Sequence, residues 1–462
     1  MSDRAYRVVY GAYAGLDAAE VQFPGVTRCL PSVEQQFGDG FPVLVDADGL
    51  PVEESLAFLV SRVGASTSTL AQYARALMGF VEFLGYRGDA RLLDAAPRDL
   101  TAYRLYRTRT GESPVSEYSF RVEASALRQF YAWAVETGLL ERSPVKQLSR
   151  NGWDNLSTNR MRHSKIRHVD KFLYEALLRA AAQGSVDAGV RSASLRNVAA
   201  IKTFATTGLR LGELASLLTF DIDHAVRLRR ALSVEMESIT KYRVNRNALI
   251  PFYATDAIRR YRKLERPNVV VRHQRALGKR LDSLFVISDF NESTRRVSGR
   301  WRGRRHQYLL HLVPVELRLK AVSVNSNGSV EPLCLFLSDS RGQGMTRSGW
   351  EGVFSEVSDQ MMRQDPTDGR IRKVTPHDLR HTFAINYLRA AHGERAKVLQ
   401  EPPFKDGPPL RDPLIDLQEL LGHATAAQTM RYLRYVEDID RLIASAVPGQ
   451  GDAGGGEHAP QK

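Results

Sequence analysis

Cysteine is nearly absent from this chain. Its 462 residues include two, Cys29 and Cys334, far apart and without a partnering histidine cluster. That excludes a disulfide scaffold and a cysteine-rich zinc module, and it fits a reducing, cytoplasmic setting. Long apolar runs are lacking as well: none approaches the roughly 18–20 residues needed to cross a bilayer, so no membrane partner is expected. The first twenty residues, MSDRAYRVVYGAYAGLDAAE, hold no uninterrupted apolar core behind their first arginine, which argues against a secretory leader. Repeats at solenoid periods are missing too. Acidic residues are the scarcer charge, 52 Asp+Glu against 65 Lys+Arg, for a net charge of +13 and a pI near 9.7. The excess points weakly to a polyanionic partner. An apolar fraction of 43% and a charged fraction of 25% belong to a folded protein. At roughly 100–200 residues per domain, the length predicts two or three domains.

Residues 1–55 mix short apolar pieces, such as 41–45 (FPVLV), with Gly and Asp turns, and read as an N-terminal extension. From 56 to 148 the period is helical. Residues 66–69 (STST) offer N-cap hydroxyls, and Leu70, Tyr73, Leu77, Phe80, Val81 and Leu84 follow at i, i+3, i+4 spacing before Gly85. A second stripe, Tyr118, Val122, Ala126, Leu127, Phe130, Tyr131 and Ala134, closes at Gly138 and Pro144. Arg104, Arg107 and Arg109 lie between the two. This predicts a compact four-helix domain with basic edges and aromatics packed between helices.

Residues 149–168 are polar, basic and rich in Gly, Asn and Ser, a linker composition. Arg160, Arg162, Lys165 and Arg167 within it suit a strap along a phosphate backbone. From 169 to 447 the pattern is mixed. Helical stretches at 170–182 and 194–206 precede an alternating piece, 232–239 (LSVEMESI), then a polar turn and a second strand at 248–250. An arginine-rich insertion follows, within about 258–332, and its segment 294–305 holds six arginines in twelve residues. Arg300, Arg302, Arg304 and Arg305 are candidate DNA contacts there, a solvated surface excursion being the plainer reading. Residues 393–414 form a second insertion with Pro and Gly, and 448–462 read as a disordered tail.

Four short pieces carry chemistry. In 206–214 (TTGLRLGEL), Gly208 ends one helix and Arg210 opens the next. Leu211, Leu214, Leu217 and Leu218 make the buried stripe, leaving Arg210 and Glu213 on another face at i, i+3. In 375–384 (TPHDLRHTFA), Thr375 suits an N-cap, Pro376 the first helical position and Asp378 the first turn. His377, Arg380 and His381 then share a face. Two histidines four apart also suit zinc, but no third ligand is evident and the arginine between them repels a cation. Such a cluster at a helix N-terminus favours an anion, phosphate above all. In 420–435 (LLGHATAAQTMRYLRY), His423 follows a glycine, and Tyr432 lies nine residues on, in the next helix. The fourth piece is the hairpin 240–247 (TKYRVNRN), where Lys241 ends the first strand. Arg243 or Arg246 takes its place if the register differs.

Singly, each piece has a bland explanation: a surface ion pair, a core tyrosine, a solvated lysine. In this order and spacing, TGLRxxEL, a hairpin lysine, HxLRHT and LGH with a tyrosine nine positions on resemble the tyrosine recombinase (phage integrase-like) family, over about residues 60–440. The resemblance implies a mostly α fold with a small antiparallel sheet. An N-terminal helical core-binding domain would precede an α+β catalytic domain. It places the catalytic set at Arg210, Lys241, His377, Arg380, His423 and the nucleophile Tyr432, with Glu213 and His381 in supporting positions. The insertion near 265–332 and the long stretch between Arg380 and His423 depart from the compact family pattern.

The residue types suit strand exchange. A covalent protein–DNA intermediate conserves the phosphodiester bond energy. A phenol, with a pKa of about 10, is both a workable attacker and a workable leaving group. Two arginines stabilise charge on the non-bridging oxygens without a metal, so no cofactor is expected. His377 and His423 suit hydrogen bonds to the phosphate or removal of the tyrosine proton, and Lys241 protonation of the departing oxygen. The resemblance implies a 3′-phosphotyrosyl link. It also implies a tetramer on two DNA sites, held by a C-terminal segment for which 436–447 has amphipathic spacing. Accessory proteins, a mobile element and a nucleoid location belong to the same expectation. Two basic domains joined by a basic linker suit a clamp around duplex DNA. The competing readings are a type IB topoisomerase-like enzyme and a non-catalytic DNA-binding protein.

Overall fold

The computed structural model describes residues 6–11, 40–88, 91–149, 152–158, 166–187, 190–228, 232–237, 239–240, 245–400 and 411–435. The chain divides into two compact units, residues 1–164 and 165–462.

The first unit opens with an antiparallel pair, β1 (Arg7–Tyr10) and β2 (Pro42–Val45). Four helices follow: α1 (Glu53–Ser61), α2 (Thr67–Tyr86), α3 (Pro97–Leu105) and α4 (Glu117–Glu136). The long helices start where a serine hydroxyl takes up a free backbone N–H: Ser66 accepts from Thr69, and Ser116 from Ser119. The predicted stripe of α2 is buried at Leu70, Leu77, Phe80, Val81 and Leu84. On α4 the stripe begins differently. Tyr118 and Val122 are exposed, and Phe120 and Ala124 are buried in their place, one turn before Leu127 on the same face. Within 1–55, Phe41 and Leu44 are buried in the helical core.

Part of the segment read as a linker is built into this unit. Asp154 accepts two bonds from Arg128, at 2.6 and 2.8 Å, and Asn155 donates to the carbonyls of Pro97 and Pro144. Leu156 is buried in the core. Two of the three arginines between the stripes also have internal partners: Arg107 forks onto Glu123, and Arg104 bonds the Ser157 carbonyl. Arg160, Arg162 and Lys165 lie outside the described residues.

The second unit is mostly helical with small sheets. It runs through α5 (Lys171–Gln183), the short pair β3 (Ser185–Asp187) and β4 (Val190–Ser192), α6 (Ser194–Thr207), α7 (Leu211–Ala215) and α8 (Thr219–Leu228). The hairpin β5 (Leu232–Met236) and β6 (Arg246–Ile250) comes next, then α9 (Phe252–Leu264) and α10 (Arg266–Gly278). The first hairpin strand is described to Met236; Lys241, expected to end it, lies outside the described residues.

The arginine-rich insertion folds. It forms β7 (Phe285–Asn291), β8 (Arg296–Trp301), β9 (Arg304–Leu309), α11 (Val315–Leu319), β10 (Ala321–Val324) and β11 (Val330–Pro332). Its five-stranded sheet has the order β11-β10-β7-β8-β9, with β10 and β7 parallel. Phe285, Ile287, Val297, Leu310 and Leu317 give it a core. A buried pair, Arg318 and Asp221 at 2.7 Å, fixes that core to the start of α8. The chain closes through α12 (Arg347–Gln364), α13 (Pro376–Gln400), α14 (Pro413–Leu421) and α15 (Ala426–Met430). Residues 393–400 of the second insertion continue α13. Segments 401–410 and 436–462, with the proposed docking segment and tail, lie outside the described residues. Among the described residues no helix is long and apolar enough to cross a membrane.

Leu44 is fully buried and Val9 is 39% exposed. Leu44→Ala should therefore cost about 2–5 kcal/mol in chemical denaturation of the full chain, and Val9→Ala less than about 0.5 kcal/mol. Equal, small effects would detach the hairpin from the core.

Candidate active site

Helix α6 ends at Gly208, which has φ +62°. A Cβ there would come within 2.4 Å of the Phe383 ring, so only glycine fits. Arg210 then caps α7. Its backbone N–H donates to Glu213 Oε2 at 2.7 Å and its Nη1 to Oε1 at 2.9 Å. Glu213 is buried, 1% exposed. The helix is shorter than its leucine pattern suggests, and Leu217 and Leu218 are buried beyond its end.

Thr375 accepts from the Asp378 N–H, and Asp378 returns the bond to the Thr375 N–H. This reciprocal cap starts α13 and sets the phase of its first turns. His377 lies at the exposed rim, and Arg380 and His381 point inward, both buried. The rings of His377 and His381 are 4.0 Å apart. Arg167, expected to lie along DNA, forks onto Asp378 at 3.1 and 3.0 Å.

Helix α14 supplies the frame. Gly422 follows it with φ +60°. The Gly422 N–H bonds the Glu419 carbonyl and the His423 N–H that of Gln418, each at 3.0 Å. This terminating turn leaves the next three carbonyls pointing away from the helix. Each holds a guanidinium: Leu420 accepts from Arg246, Leu421 from Arg380 at 2.7 Å, and Gly422 from Arg210 at 2.8 Å. Arg380 also donates to the Gly208 carbonyl at 2.6 Å. Arg246 also donates to Glu213 Oε2.

Tyr432 sits in the turn after α15, not on the helix as its spacing suggested. Its ring is buried in the cluster of Ala384, Ile385, Leu417 and Leu421. Its hydroxyl meets His381 Nδ1 at 2.8 Å. The His423 ring lies parallel to it at 6.2 Å, and His423 Nδ1 meets the Thr429 hydroxyl at 2.9 Å. Arg431, which can only donate, is 3.4 Å from His381 Nε2. That contact makes Nε2 the acceptor of a neutral ring, and Nδ1–H the donor to the phenol oxygen.

Burial, and after it the neighbouring cations, set the titration of the site. Burial, then His377 and Arg431, push His381 down to about 3, and burial, then Arg380 and Arg210, push His423 down to about 3. His377 is lowered by desolvation and by Arg380. His381 and His423 are therefore neutral at pH 7. Burial and the nearby Arg210 lower Arg380 to about 9, which leaves it charged. Burial raises the Tyr432 phenol, and Arg380, Arg431 and Arg210 oppose the rise. Glu213 pairs with Arg210 and Arg246, while Arg380 and Arg431 have no carboxylate partner among the described residues, a surplus of positive charge suited to a phosphoryl group gaining charge. Among the described residues no group of three or more His, Cys, Asp or Glu is arranged to hold a metal.

Residues 52–138 match the phage integrase N-terminal SAM-like domain, and residues 167–401, just over half of the chain, match the phage integrase family. The chain belongs to the tyrosine recombinase (phage integrase) family. The second match covers Arg210, His377 and Arg380 and ends before His423. A tyrosine recombinase XerC of Herpetosiphon aurantiacus is 22% identical over 390 residues, 84% of this chain and 91% of the relative. A tyrosine recombinase XerD of Listeria innocua is 23% identical over 387 residues, 82% and 92% of the two chains. A solved XerH site-specific recombinase, bound to palindromic difH substrate after cleavage, covers 85% of this chain and 83% of its own at 15% identity and a TM-score of 0.43. This integrase-family chain is a recombinase of the tyrosine type.

The site gathers Arg210, Glu213, His377, Arg380, His381, His423 and Tyr432. Sequence reasoning gave Arg246 only the role of a substitute for Lys241, and it passed over Arg431, Thr429 and the three carbonyls. The Gly422 that ends α14 is the one local signal for the last of these.

A Cβ at Gly422 would lie 2.7 Å from Arg246 Cδ. With the positive φ added, Gly422→Ala should cost about 1–3 kcal/mol in thermal or chemical denaturation. An unchanged midpoint would mean the turn is not held as described.

Proposed function

We propose that this recombinase cuts and rejoins duplex DNA through a covalent 3′-phosphotyrosyl intermediate, for integration, excision or resolution of a DNA element. The observation that carries this is the Tyr432 hydroxyl, held by His381 at 2.8 Å beside Arg210 and Arg380. The phenol oxygen attacks the scissile phosphorus, and a new P–O bond forms as the bond to the 5′ oxygen breaks. His423, neutral at pH 7, or His377 takes the phenol proton, and Lys241 supplies one to the leaving 5′ oxygen. Arg210 and Arg380 spread the phosphorane charge over permanent cations. Rejoining runs the same steps in reverse with a new 5′-hydroxyl. The family resemblance supports a tetramer on two sites.

Tyr435 is the nearest alternative nucleophile, but its hydroxyl accepts from the Ile166 backbone N–H at 2.9 Å. Tyr432→Phe should keep DNA binding and abolish the covalent complex on a nicked suicide duplex, and Tyr435→Phe should keep both. The reverse pattern would refute the assignment. Cleavage by wild type should persist in EDTA, since the transition-state charge is met by guanidinium groups; loss in chelator restored by magnesium would show otherwise.

The insertion is the proposed second DNA contact. On β8 and β9, Val297, Gly299 and Tyr308 face the core, so Ser298, Arg300, Arg305 and Gln307 face outward. Arg300 stands directly opposite Arg305, and both are exposed. Like charges across a strand pair are destabilising, and a phosphate backbone relieves them. Arg302 and Arg304 flank the β8–β9 turn, where Arg302 adopts φ +49° over the Trp301 ring. Replacing Arg300, Arg302, Arg304 and Arg305 by alanine should weaken binding alike on cognate and random DNA. It should also flatten the log K against log salt slope by up to about three or four units. An unchanged slope would leave the ribbon away from DNA.

A further inference from the structure

The hairpin contributes Arg246 to the site. Arg246 is the first residue of β6, paired with Met236 on β5. Its side chain leaves the hairpin and is buried, 6% exposed. One Nη donates to Glu213 Oε2 and the other to the Leu420 carbonyl. Glu213 Oε2 is the oxygen that also fixes the Arg210 backbone, while Oε1 holds the Arg210 guanidinium. Leu420 is the first carbonyl of the run whose next two orient Arg380 and Arg210. Gly422, the third, leaves room for the Arg246 stem, since a Cβ there would overlap it. Arg246 therefore touches both supports of Arg210, the carboxylate and the end of α14.

We propose that Arg246 is a positioning residue for strand cleavage: it ties the hairpin to Glu213 and the α14 terminus, and so holds Arg210 in its phosphate-facing pose. The inference rests on the recombinase reading above. A buried carboxylate shared by two guanidiniums has one stable orientation. With one of them removed, the carboxylate can rotate and its remaining partner follows. Displacing a charge-stabilising group by about 1 Å can cost on the order of 100-fold in rate. Arg246 acts through Arg210, so its loss is felt in the chemical step. DNA affinity, spread over many phosphate contacts, changes little.

The test is single-turnover cleavage of a nicked suicide duplex at saturating DNA by the full chain, with binding measured in parallel. Arg246→Met should slow cleavage about 10- to 100-fold and leave the DNA dissociation constant within about twofold. Arg246→Lys keeps one of the two bonds and should recover part of the rate. Because Arg246→Met leaves Glu213 with one cation fewer, the double variant Arg246→Met/Glu213→Gln, which removes both charges of the buried pair, guards against simple misfolding. If the two residues act as one device, the double variant cleaves no slower than the worse single variant. A duplex with a 5′-thiolate leaving group, which needs no general acid, should not rescue Arg246→Met; rescue would place Arg246 with Lys241 instead and overturn the proposal. So would wild-type cleavage by Arg246→Met, multiplied rate losses in the double variant, or a loss of binding as large as the loss of rate. Failure of Tyr432→Phe to abolish the covalent complex would instead overturn the recombinase chemistry itself.

Discussion

Everything in the site depends on how one helix ends. The last carbonyls of an α-helix lack internal partners and carry its partial negative charge. At α14 three consecutive carbonyls meet three guanidiniums from β6, α13 and the start of α7. These groups come from far apart in the chain, and no single helix face could present them together. A backbone carbonyl is also a suitable holder chemically. It orients a guanidinium without neutralising it, as a second carboxylate would, so the cations keep their charge for the substrate.

Burial among these cations divides labour between residue types. Guanidiniums remain charged when pushed together, and Arg380 at about 9 stays protonated at pH 7. Imidazoles give way, and His381 and His423 become neutral. Neutral rings can take or relay a proton, which charged ones cannot. The phenol has both as neighbours: imidazole rings packed beside it, and cations that favour the phenolate it becomes.

The helices, the caps and the seven gathered site residues were legible because their signals are local. A serine hydroxyl three residues before the backbone N–H it accepts from, a glycine at a helix end and HxLRH on one face all act within a few positions. Arg246 was not legible, because its partners lie 33 and 174 residues away and its strand offers only an arginine beside a turn. The start of the α4 stripe slipped because Tyr118 and Val122 also follow a helical period, one face round from Phe120. The insertion hid its strands behind its charge. In 296–301 (RVSGRW) the apolar alternation is carried by Val297, Gly299 and Trp301, and a glycine adds no hydrophobicity to the count. The β1–β2 pairing joins segments about thirty residues apart, a separation that no local signal bridges.

The order of the insertion's sheet has one further consequence. An open sheet ends in strands with unpaired backbone groups, and these invite edge-to-edge pairing with another chain. Here one margin is β11, three residues long, and the other is β9, whose first two residues are Arg304 and Arg305. Brevity on one side and mutual repulsion on the other keep copies of the protein from zipping together through this sheet. The arginines of β9 thus set like charge along the longer open edge of this sheet, a feature that opposes edge-to-edge pairing.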